Sequence, residues 1–162
     1  SPFPYDGIFR RAVLNFKFHN CGAYAELLSH EMVRSIKDVY RDREFDLVTC
    51  VPMHKDTLRK RGYNQAELLA KECARILGIE YADLLVKTKK NKTQHSIKAA
   101  ERAKNVIGVY SPIDKNLIKG KRILIIDDII TTGSTLGECA RILNKCKCGE
   151  ICCCTLCTSL LI

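Results

Sequence analysis

A continuous hydrophobic run extends from Ile123 to Ile126 and is followed at once by Asp127 and Asp128. A strand that is covered on both faces has such a run, whereas a half-exposed strand alternates apolar with polar residues. The pattern therefore predicts a buried parallel strand with two carboxylates at its carboxyl end. The segment from Phe45 to Val51, ended by Pro52, predicts another core strand.

Helical spacing of apolar residues marks three further segments. Helices are predicted from Ala23 to Ile36, from Asn64 to Leu77 with Gly78 as the stop signal, and from Leu136 to Leu143. A terminal strand is predicted from Ile151 to Leu156 and weaker strands at Tyr81 to Lys87 and Val106 to Tyr110, whereas the period of residues 5 to 20 is ambiguous. Strands that alternate with helices predict an α/β fold with a mainly parallel central sheet, flanked by helices and joined by right-handed crossovers.

The composition agrees with one domain over residues 1–162, in which residues 1–45 supply N-terminal elements or a hood over a site. The chain has 162 residues, of which 46% are hydrophobic and 28% charged, enough to bury a sizeable core. No apolar stretch approaches the length of a membrane span, and no charged-then-apolar leader opens the chain. We therefore expect a soluble, cytoplasmic protein without membrane attachment.

Ten cysteines would suggest disulfides in a small secreted domain, but without signs of secretion they fit free thiols in a reducing compartment. Six of them lie between Cys146 and Cys157, which leaves a zinc site as an alternative. Against zinc, residues 151–156 also fit a buried strand. Neighbouring side chains of a strand alternate faces and cannot all converge on one ion.

A loop of small and hydroxyl-bearing residues follows the two carboxylates: Thr131, Thr132, Gly133, Ser134 and Thr135. Such a loop at the start of a helix is an anion cradle, and adjacent acids can accept hydrogen bonds from vicinal hydroxyls or help to hold a metal. The combination points to a phosphorylated sugar. Each part alone has a structural alternative, because Thr135 to Glu138 fits a capping box and the acid pair fits a strand-end turn.

The whole string from Lys121 to Leu136 resembles the ribose-phosphate motif of the type I phosphoribosyltransferases. A P-loop nucleotide hydrolase is not expected, because the chain has no Gly-Lys-Ser/Thr sequence. A second motif, from Cys50 to Ala70, joins a strand end, a proline-bearing loop, a basic stretch and a helix start. It resembles the ComF branch of this family, and Arg61 to Gln65 match that branch's Arg-Gly-aromatic-Asn-Gln residue for residue.

The resemblance extends over nearly the whole chain and departs from the family at the front. Residues 93–96 and 101–110 resemble further ComF elements, although a glutamine here follows Thr93 directly. Many ComF proteins carry a cysteine-rich zinc module before the catalytic domain, and nothing before Cys21 could supply one. We therefore expect no such module within these residues.

The resemblance implies a substrate and a set of roles. Phosphoribosyl pyrophosphate (PRPP) would bind with Mg²⁺ and exchange its pyrophosphate for an unidentified nitrogenous base, a reaction that needs positioning and electrostatic stabilisation. Asp127 and Asp128 would hold the ribose hydroxyls and Mg²⁺, and Thr131 to Thr135 would hold the 5′-phosphate. Pyrophosphate would be bound by Met53, His54 and Lys55 with Arg59 or Arg61 as the clamp, and the segment from Lys87 to Arg102 would include a mobile lid.

The alternative is an accessory factor that binds PRPP or single-stranded DNA during competence and DNA uptake, without catalysis. The net charge of +9 attracts anions but does not choose between nucleic acid and a small polyphosphate. The basic segments lack clearly interleaved aromatic residues, which a stacking platform for single strands needs, and we favour the enzyme. Its second substrate would be a nucleobase-like acceptor, with competence proteins or a second copy of the chain as further candidate partners.

Overall fold

The computed structural model describes residues 1–18, 22–89 and 106–159. Its strands are β1 (Phe3–Pro4), β2 (Leu47–Cys50), β3 (Glu80–Tyr81), β4 (Leu85–Lys87), β5 (Tyr110–Pro112), β6 (Arg122–Ile130) and β7 (Glu150–Thr158). Its helices are α1 (Gly7–Phe18), α2 (Gly22–Val39), α3 (Lys55–Arg61), α4 (Gln65–Leu77), α5 (Lys115–Ile118) and α6 (Ser134–Lys145). Within this described part, no helix is both long and apolar enough to cross a membrane.

A parallel sheet of five strands forms the centre of the fold, in the order β1-β7-β6-β2-β3. Ile123 to Ile126 of β6 are fully buried, as a strand covered on both faces requires. Helices α2 and α4 pack on one face of the sheet and α6 packs on the other. The predicted α/β fold with a mainly parallel sheet flanked by helices is confirmed.

The side chains of β6 are divided between two hydrophobic cores. Leu124 and Ile126 pack with residues of α2 and α4, whereas Ile123 and Ile125 pack with residues of α6, β4 and β5. Because side chains alternate along a strand, one continuous apolar run contributes to both hydrophobic cores. The β4–β5 pair is antiparallel and separate from the main sheet, and it adds a small second sheet to the layer that contains α6.

Three strands differ from the prediction. The strand predicted from Val106 to Tyr110 begins only at Tyr110, as β5, because residues 106–108 form a turn. The other two differ because of their pairing partners. β6 continues beside β7 as far as Ile130, opposite Thr158, so that Asp127 and Asp128 lie inside the strand rather than after it. The segment from Tyr81 to Lys87 is divided into β3 and β4, which belong to different sheets. Pairing with distant segments decides both cases, and local propensity does not contain that information.

The ambiguous N-terminal segment forms β1, parallel to the end of β7, and then helix α1. Helix α2 follows, and its Met32 and Ile36 are buried in the core with α4. The first part of the chain therefore contributes to the main core. Its predicted role as a hood over a site stays a prediction.

The terminal cysteines lie on both faces of β7. Cys152, Cys154 and Cys157 pack in the core with α2 and α4, and Cys153 packs against the opposite core. The predicted alternation along a buried strand is confirmed from Cys152 to Cys154. It does not extend to Cys157, which packs in the same core as its neighbour Leu156. The nine cysteines that the structure describes are free thiols.

Candidate functional site

A proline opens the cleft that contains the predicted site. Val51 donates its N–H to the carbonyl oxygen of Ile126 over 3.0 Å, but Pro52 has no N–H with which to continue the ladder. The chain leaves β6 at this point, while β6 runs on beside β7. The pairing of β6 with β2 therefore ends at Ile126, and residues 127–129 line a cleft of about 270 Å³, at the sheet edge where α/β proteins bind ligands.

A hydroxyl-rich turn between β6 and α6 surrounds a small hollow next to this cleft. Gly133 adopts a left-handed conformation with a φ of 73° and is the N-cap residue of α6, without a side-chain capping bond. The Oγ1 atom of Thr132 lies 2.8 Å from Ser134 Oγ and accepts a bond from the Ser134 N–H over 3.4 Å. Because the first N–H groups of a helix lack intrahelical partners and its dipole makes this end positive, the turn suits an anion.

The capping-box alternative for Thr135 to Glu138 is wrong. The Glu138 carboxylate accepts a bond from the Gly108 N–H over 2.8 Å and bonds from the Arg141 guanidinium over 2.6 Å. It thereby ties α6 to the turn before β5 and does not reach back to the start of its own helix. The start of α6 keeps its capacity to bind an anion.

Asp127 lies at the junction of the two spaces, since it lines both the hollow and the cleft. Its Oδ1 accepts a bond from the Asp128 N–H over 2.9 Å, and Asp128 lines the cleft beside it. Mg²⁺ takes one or two carboxylates and completes its coordination with water and phosphate oxygens, so this pair fits the ion. In the described part of the chain, no group of three or more histidine, cysteine, aspartate or glutamate residues could hold a metal ion, and the fit therefore depends on oxygens of a ligand.

Two cations line the same cleft, Arg61 from α3 and Lys87 from β4. Arg61 donates from Nη1 to Gln65 Oε1 over 2.8 Å. The Nζ atom of Lys87 lies 5.4 Å from the centre of the Tyr110 ring. Burial lowers the pKa of Lys87, although the Asp127 carboxylate acts in the opposite direction. A bound anion would favour the charged form of this lysine.

Known proteins resemble this chain in sequence and in fold. The family profile described as "Phosphoribosyl transferase domain" matches residues 64–160, which include the hydroxyl-rich turn, both carboxylates and Lys87. The chain belongs to this phosphoribosyl transferase domain family. Membership of the ComF branch is confirmed by relatives that are named for competence.

Two such relatives are Competence protein F of Haemophilus influenzae and Competence protein ComFC of Bacillus subtilis. The first is 33% identical over 144 residues, which are 86% of this chain and 63% of the relative. The second is 30% identical over 152 residues, which are 93% of this chain and 60% of the relative. The chain thus spans less than two thirds of the length of either of these two relatives.

A solved structure shares the fold. It is the glutamine phosphoribosylpyrophosphate amidotransferase of Bacillus subtilis, which has a TM-score of 0.53 and 22% identity and covers 80% of this chain and 25% of its own. Together with the parallel sheet and its flanking helices, this likeness confirms the type I phosphoribosyltransferase fold.

The structure brings part of the predicted pyrophosphate site together. Met53 and Arg61 line the cleft with both carboxylates and Thr135. The loop after β2 is shorter than expected, because Lys55 already begins α3. The side chains predicted to bind the 5′-phosphate and those predicted to bind pyrophosphate therefore border connected spaces.

Three other predicted pyrophosphate residues lie outside the cleft lining in the part of the chain that the structure describes. His54 is the N-cap of α3, and its Nδ1 accepts a bond from the Asp56 N–H over 3.2 Å. Lys55 and Arg59 are exposed on α3. Their role in binding pyrophosphate stays a prediction. The segment predicted to include the lid, Lys87 to Arg102, lies outside the described residues from residue 90 onwards.

The sequence assigned no site role to three polar residues of the cleft wall, Asn64, Gln65 and Tyr110. Tyr110 is buried, shares a side-chain hydrogen bond with Thr135, and has its pKa raised by burial. It reaches the site because β5 pairs with β4, which places Tyr110 opposite Lys87. Asn64 and Gln65 carried a signal, since both belong to the ComF motif.

Proposed function

We propose that this chain binds PRPP with Mg²⁺ and transfers the phosphoribosyl group to or from a nitrogenous base. The observation that carries the proposal is the position of Asp127 and Thr135, which line both the hollow at the start of α6 and the cleft that contains Arg61 and Lys87. PRPP has a matching distribution of groups. Its 5′-phosphate and its pyrophosphate are separated by a ribose with two vicinal hydroxyls.

The 5′-phosphate is assigned to the turn from Thr131 to Thr135. Hydroxyls and backbone N–H groups at the start of α6 can donate to phosphate oxygens. The left-handed Gly133 supports a tight turn without a Cβ. This end of the ligand would be recognised by fixed dipoles, because no side chain of the turn is charged.

The ribose hydroxyls are assigned to Asp127 and Asp128, which would also hold Mg²⁺. When bound, the ion would neutralise charge on the pyrophosphate. The carboxylates would in addition orient the ribose by accepting its hydroxyl hydrogens, so that C1 faces the acceptor. Positioning of this kind supplies a large part of catalysis when no nucleophile of the protein is needed.

The pyrophosphate is assigned to the cleft beyond the carboxylates, with Arg61 and Lys87 as cations and the loop at Met53 as a wall. The C1–O bond breaks with its electron pair leaving on pyrophosphate, and a nitrogen of the acceptor supplies the pair for the new C1–N bond. Negative charge grows on the leaving oxygen. Cations that are already in place stabilise that charge.

Release of pyrophosphate tests this proposal. The chain is mixed with PRPP, Mg²⁺ and a panel of purine, pyrimidine and related bases, and pyrophosphate is measured with each base and without one. We expect release that depends on one class of base and is lost in Asp127→Asn, Asp128→Asn. Binding of PRPP without base-dependent release would contradict catalysis and leave a PRPP-binding role.

A second candidate function is that of an accessory factor in DNA uptake, which binds PRPP or single-stranded DNA. The names of the competence relatives and the net charge of +9 favour it. Titration with fluorescent single-stranded DNA at several salt concentrations distinguishes the two functions. Micromolar or tighter binding that persists at physiological salt would support DNA as a ligand, whereas weak binding that salt abolishes would reflect the charge alone. For either function we propose a cytoplasmic location, which the free thiols of the described residues support.

A further inference from the structure

A buried amide in the wall of the cleft has no role in the proposed function as stated so far. Gln65 is the first residue of α4 and only 1% exposed, yet it lines the cleft. Glutamine is mostly an exposed residue, and a buried polar side chain is normally hydrogen-bonded at every group. A residue of this kind at a ligand site calls for a specific reason.

The amide of Gln65 is oriented by Arg61. Its Oε1 accepts the bond from Arg61 Nη1 over 2.8 Å, while its Nε2 has no hydrogen-bond partner among the described residues. Rotating the amide by half a turn would place two donors against each other, because both the NH₂ group and the guanidinium only donate. The amide therefore keeps its oxygen towards Arg61 even though its nitrogen stays unpaired.

The backbone around this pair is fixed independently. Arg61 ends α3, Gly62 follows in a left-handed conformation with a φ of 87°, and Asn64 caps α4 through a bond from the Ala66 N–H over 3.2 Å. The Nδ2 of Asn64 also donates to the carbonyl oxygen of Val51 over 3.1 Å. The turn between the helices is thus tied to the end of β2. Gln65 adds the contact that fixes the head of the arginine side chain.

The neutral character of this partner distinguishes Arg61 from three other arginines of the described part of the chain. Arg75, Arg122 and Arg141 each pair with a carboxylate at 2.6 to 2.9 Å, and those partners neutralise their charge. An amide oxygen orients a guanidinium and leaves its positive charge intact. A guanidinium has five N–H donors, so one bond to Gln65 leaves most of them for a ligand.

We propose that Gln65 is a positioning residue that holds Arg61, with its charge undiminished, ready to bind the pyrophosphate of PRPP. This inference deepens the proposed function and rests on it. Arg61 has a long side chain with many rotamers, and a flexible cation must be ordered each time that a ligand binds. A preset orientation reduces that cost for the pyrophosphate end and leaves the ribose-phosphate end unaffected.

A double-mutant cycle tests the proposal. Isothermal titration is carried out on the wild type, Gln65→Met, Arg61→Ala and the double variant, each with PRPP plus Mg²⁺, with inorganic pyrophosphate and with ribose 5-phosphate. We expect Gln65→Met to weaken PRPP and pyrophosphate by about threefold to tenfold, the cost of ordering one long side chain, and to leave ribose 5-phosphate unchanged. In the Arg61→Ala background the same change should have no further effect, because its action passes through the arginine.

Two results would overturn the proposal. Equal weakening of all three ligands would show that Gln65 supports the fold of the site, and an undiminished effect in the Arg61→Ala background would show that Gln65 contacts the ligand itself. Gln65→Glu serves as a second variant if Gln65→Met does not fold. Its carboxylate still accepts from Arg61 but cancels the charge, so PRPP binding should weaken while ribose 5-phosphate binding stays. If the wild type fails to bind PRPP, the proposed function fails, and the pyrophosphate arm still tests the role of Gln65.

Discussion

The two ends of β6 use charge in opposite ways. At the amino end, Arg122 donates to Asp46 Oδ1 over 2.9 Å and to Asp46 Oδ2 over 3.2 Å, and to Glu44 over 2.9 Å. At the carboxyl end, Asp127 and Asp128 line a cleft together with Arg61 and Lys87. At one end of β6, the guanidinium of the strand is joined directly to acids that precede β2. At the other end, acids of the strand itself border a space large enough for a ligand.

The pKa shifts at the two ends differ in the same sense. Hydrogen bonds from Arg122 lower the pKa of Asp46 to about 2, which shows a charge that the protein itself has stabilised. Burial lowers the pKa of Lys87 despite the attraction of Asp127, which shows a charge that the protein has not fully compensated. This contrast agrees with the proposed function, in which the amino end serves stability and the carboxyl end serves an anionic ligand.

The largest effect is expected from the double change Asp127→Asn, Asp128→Asn. PRPP with Mg²⁺ at a hundredfold excess over Kd should raise the free energy of unfolding of the wild type by about 2.7 kcal/mol. The variant should lose most of this gain, because an amide holds neither Mg²⁺ nor ribose hydroxyls as a carboxylate does. Thermal unfolding with and without ligand measures it. Asp42→Asn, in the exposed turn after α2, is the control and should keep the gain, and a double variant that also keeps it would contradict the assigned roles.

The next effect separates two arginines of α3. Arg61→Ala should weaken PRPP tenfold to a hundredfold, roughly 1.4 kcal/mol for each tenfold step, because charge-assisted bonds to phosphate oxygens are strong. Arg59→Ala should change PRPP binding little, since Arg59 is exposed and Arg61 lines the cleft. Neither should affect ribose 5-phosphate in isothermal titration. Equal losses in both variants would mean that these cations act through the general field.

A smaller effect is expected in the turn of the hollow. Gly133→Ala should cost about 1–2 kcal/mol of stability, because a side chain disfavours the left-handed conformation. Space is not the reason, since the added Cβ would lie 3.8 Å from Ile130 Cδ1, an ordinary contact. A turn that relaxes from this strain should weaken PRPP and ribose 5-phosphate by the same factor.

Gly137→Ala is the matched control for the turn. Gly137 lies inside α6, where a Cβ would meet nothing within 4 Å, and alanine in a helix is favoured by roughly 0.5–1 kcal/mol. This variant should be slightly more stable and bind both ligands as the wild type does. If Gly133→Ala reduced PRPP binding alone, the turn would not be the site of the 5′-phosphate.

The sequence predicted that the acids and the hydroxyl-rich turn lie together because all their parts are contiguous. Strand, carboxylates, turn and helix follow one another between Ile123 and Leu136, so their order in the chain is also their order in space. The alternation of strands and helices predicted the sheet for a similar reason. The structure confirms both the strand and the helix, with longer bounds for each.

The hydrophobic pattern of the sequence could not predict contacts between distant segments. Tyr110 meets Lys87 through the antiparallel pairing of β4 with β5, and the two are separated by the whole predicted lid. Arg59 and Arg61 could not be told apart while they were expected in or near a loop. The structure places both arginines on α3. Residues two positions apart on a helix do not face the same side, so the two side chains have different surroundings.

The smallest effect is expected at the amino end of β6, from Asp46→Asn. A carboxylate whose pKa is lowered to about 2 by Arg122, below the usual value of about 3.9, adds stability that is fully present above that usual value. The stability is lost as the pH falls through the folded pKa, because protonation ends the ion pair. Melting temperatures of the variant and the wild type should therefore differ slightly near about pH 5 and converge towards about pH 2, since accessible ion pairs contribute little. At neutral pH, PRPP and Mg²⁺ should raise the melting temperatures of the variant and the wild type by the same amount. A difference that persists in acid, or a reduced gain from PRPP, would contradict the division of roles between the two ends of the strand.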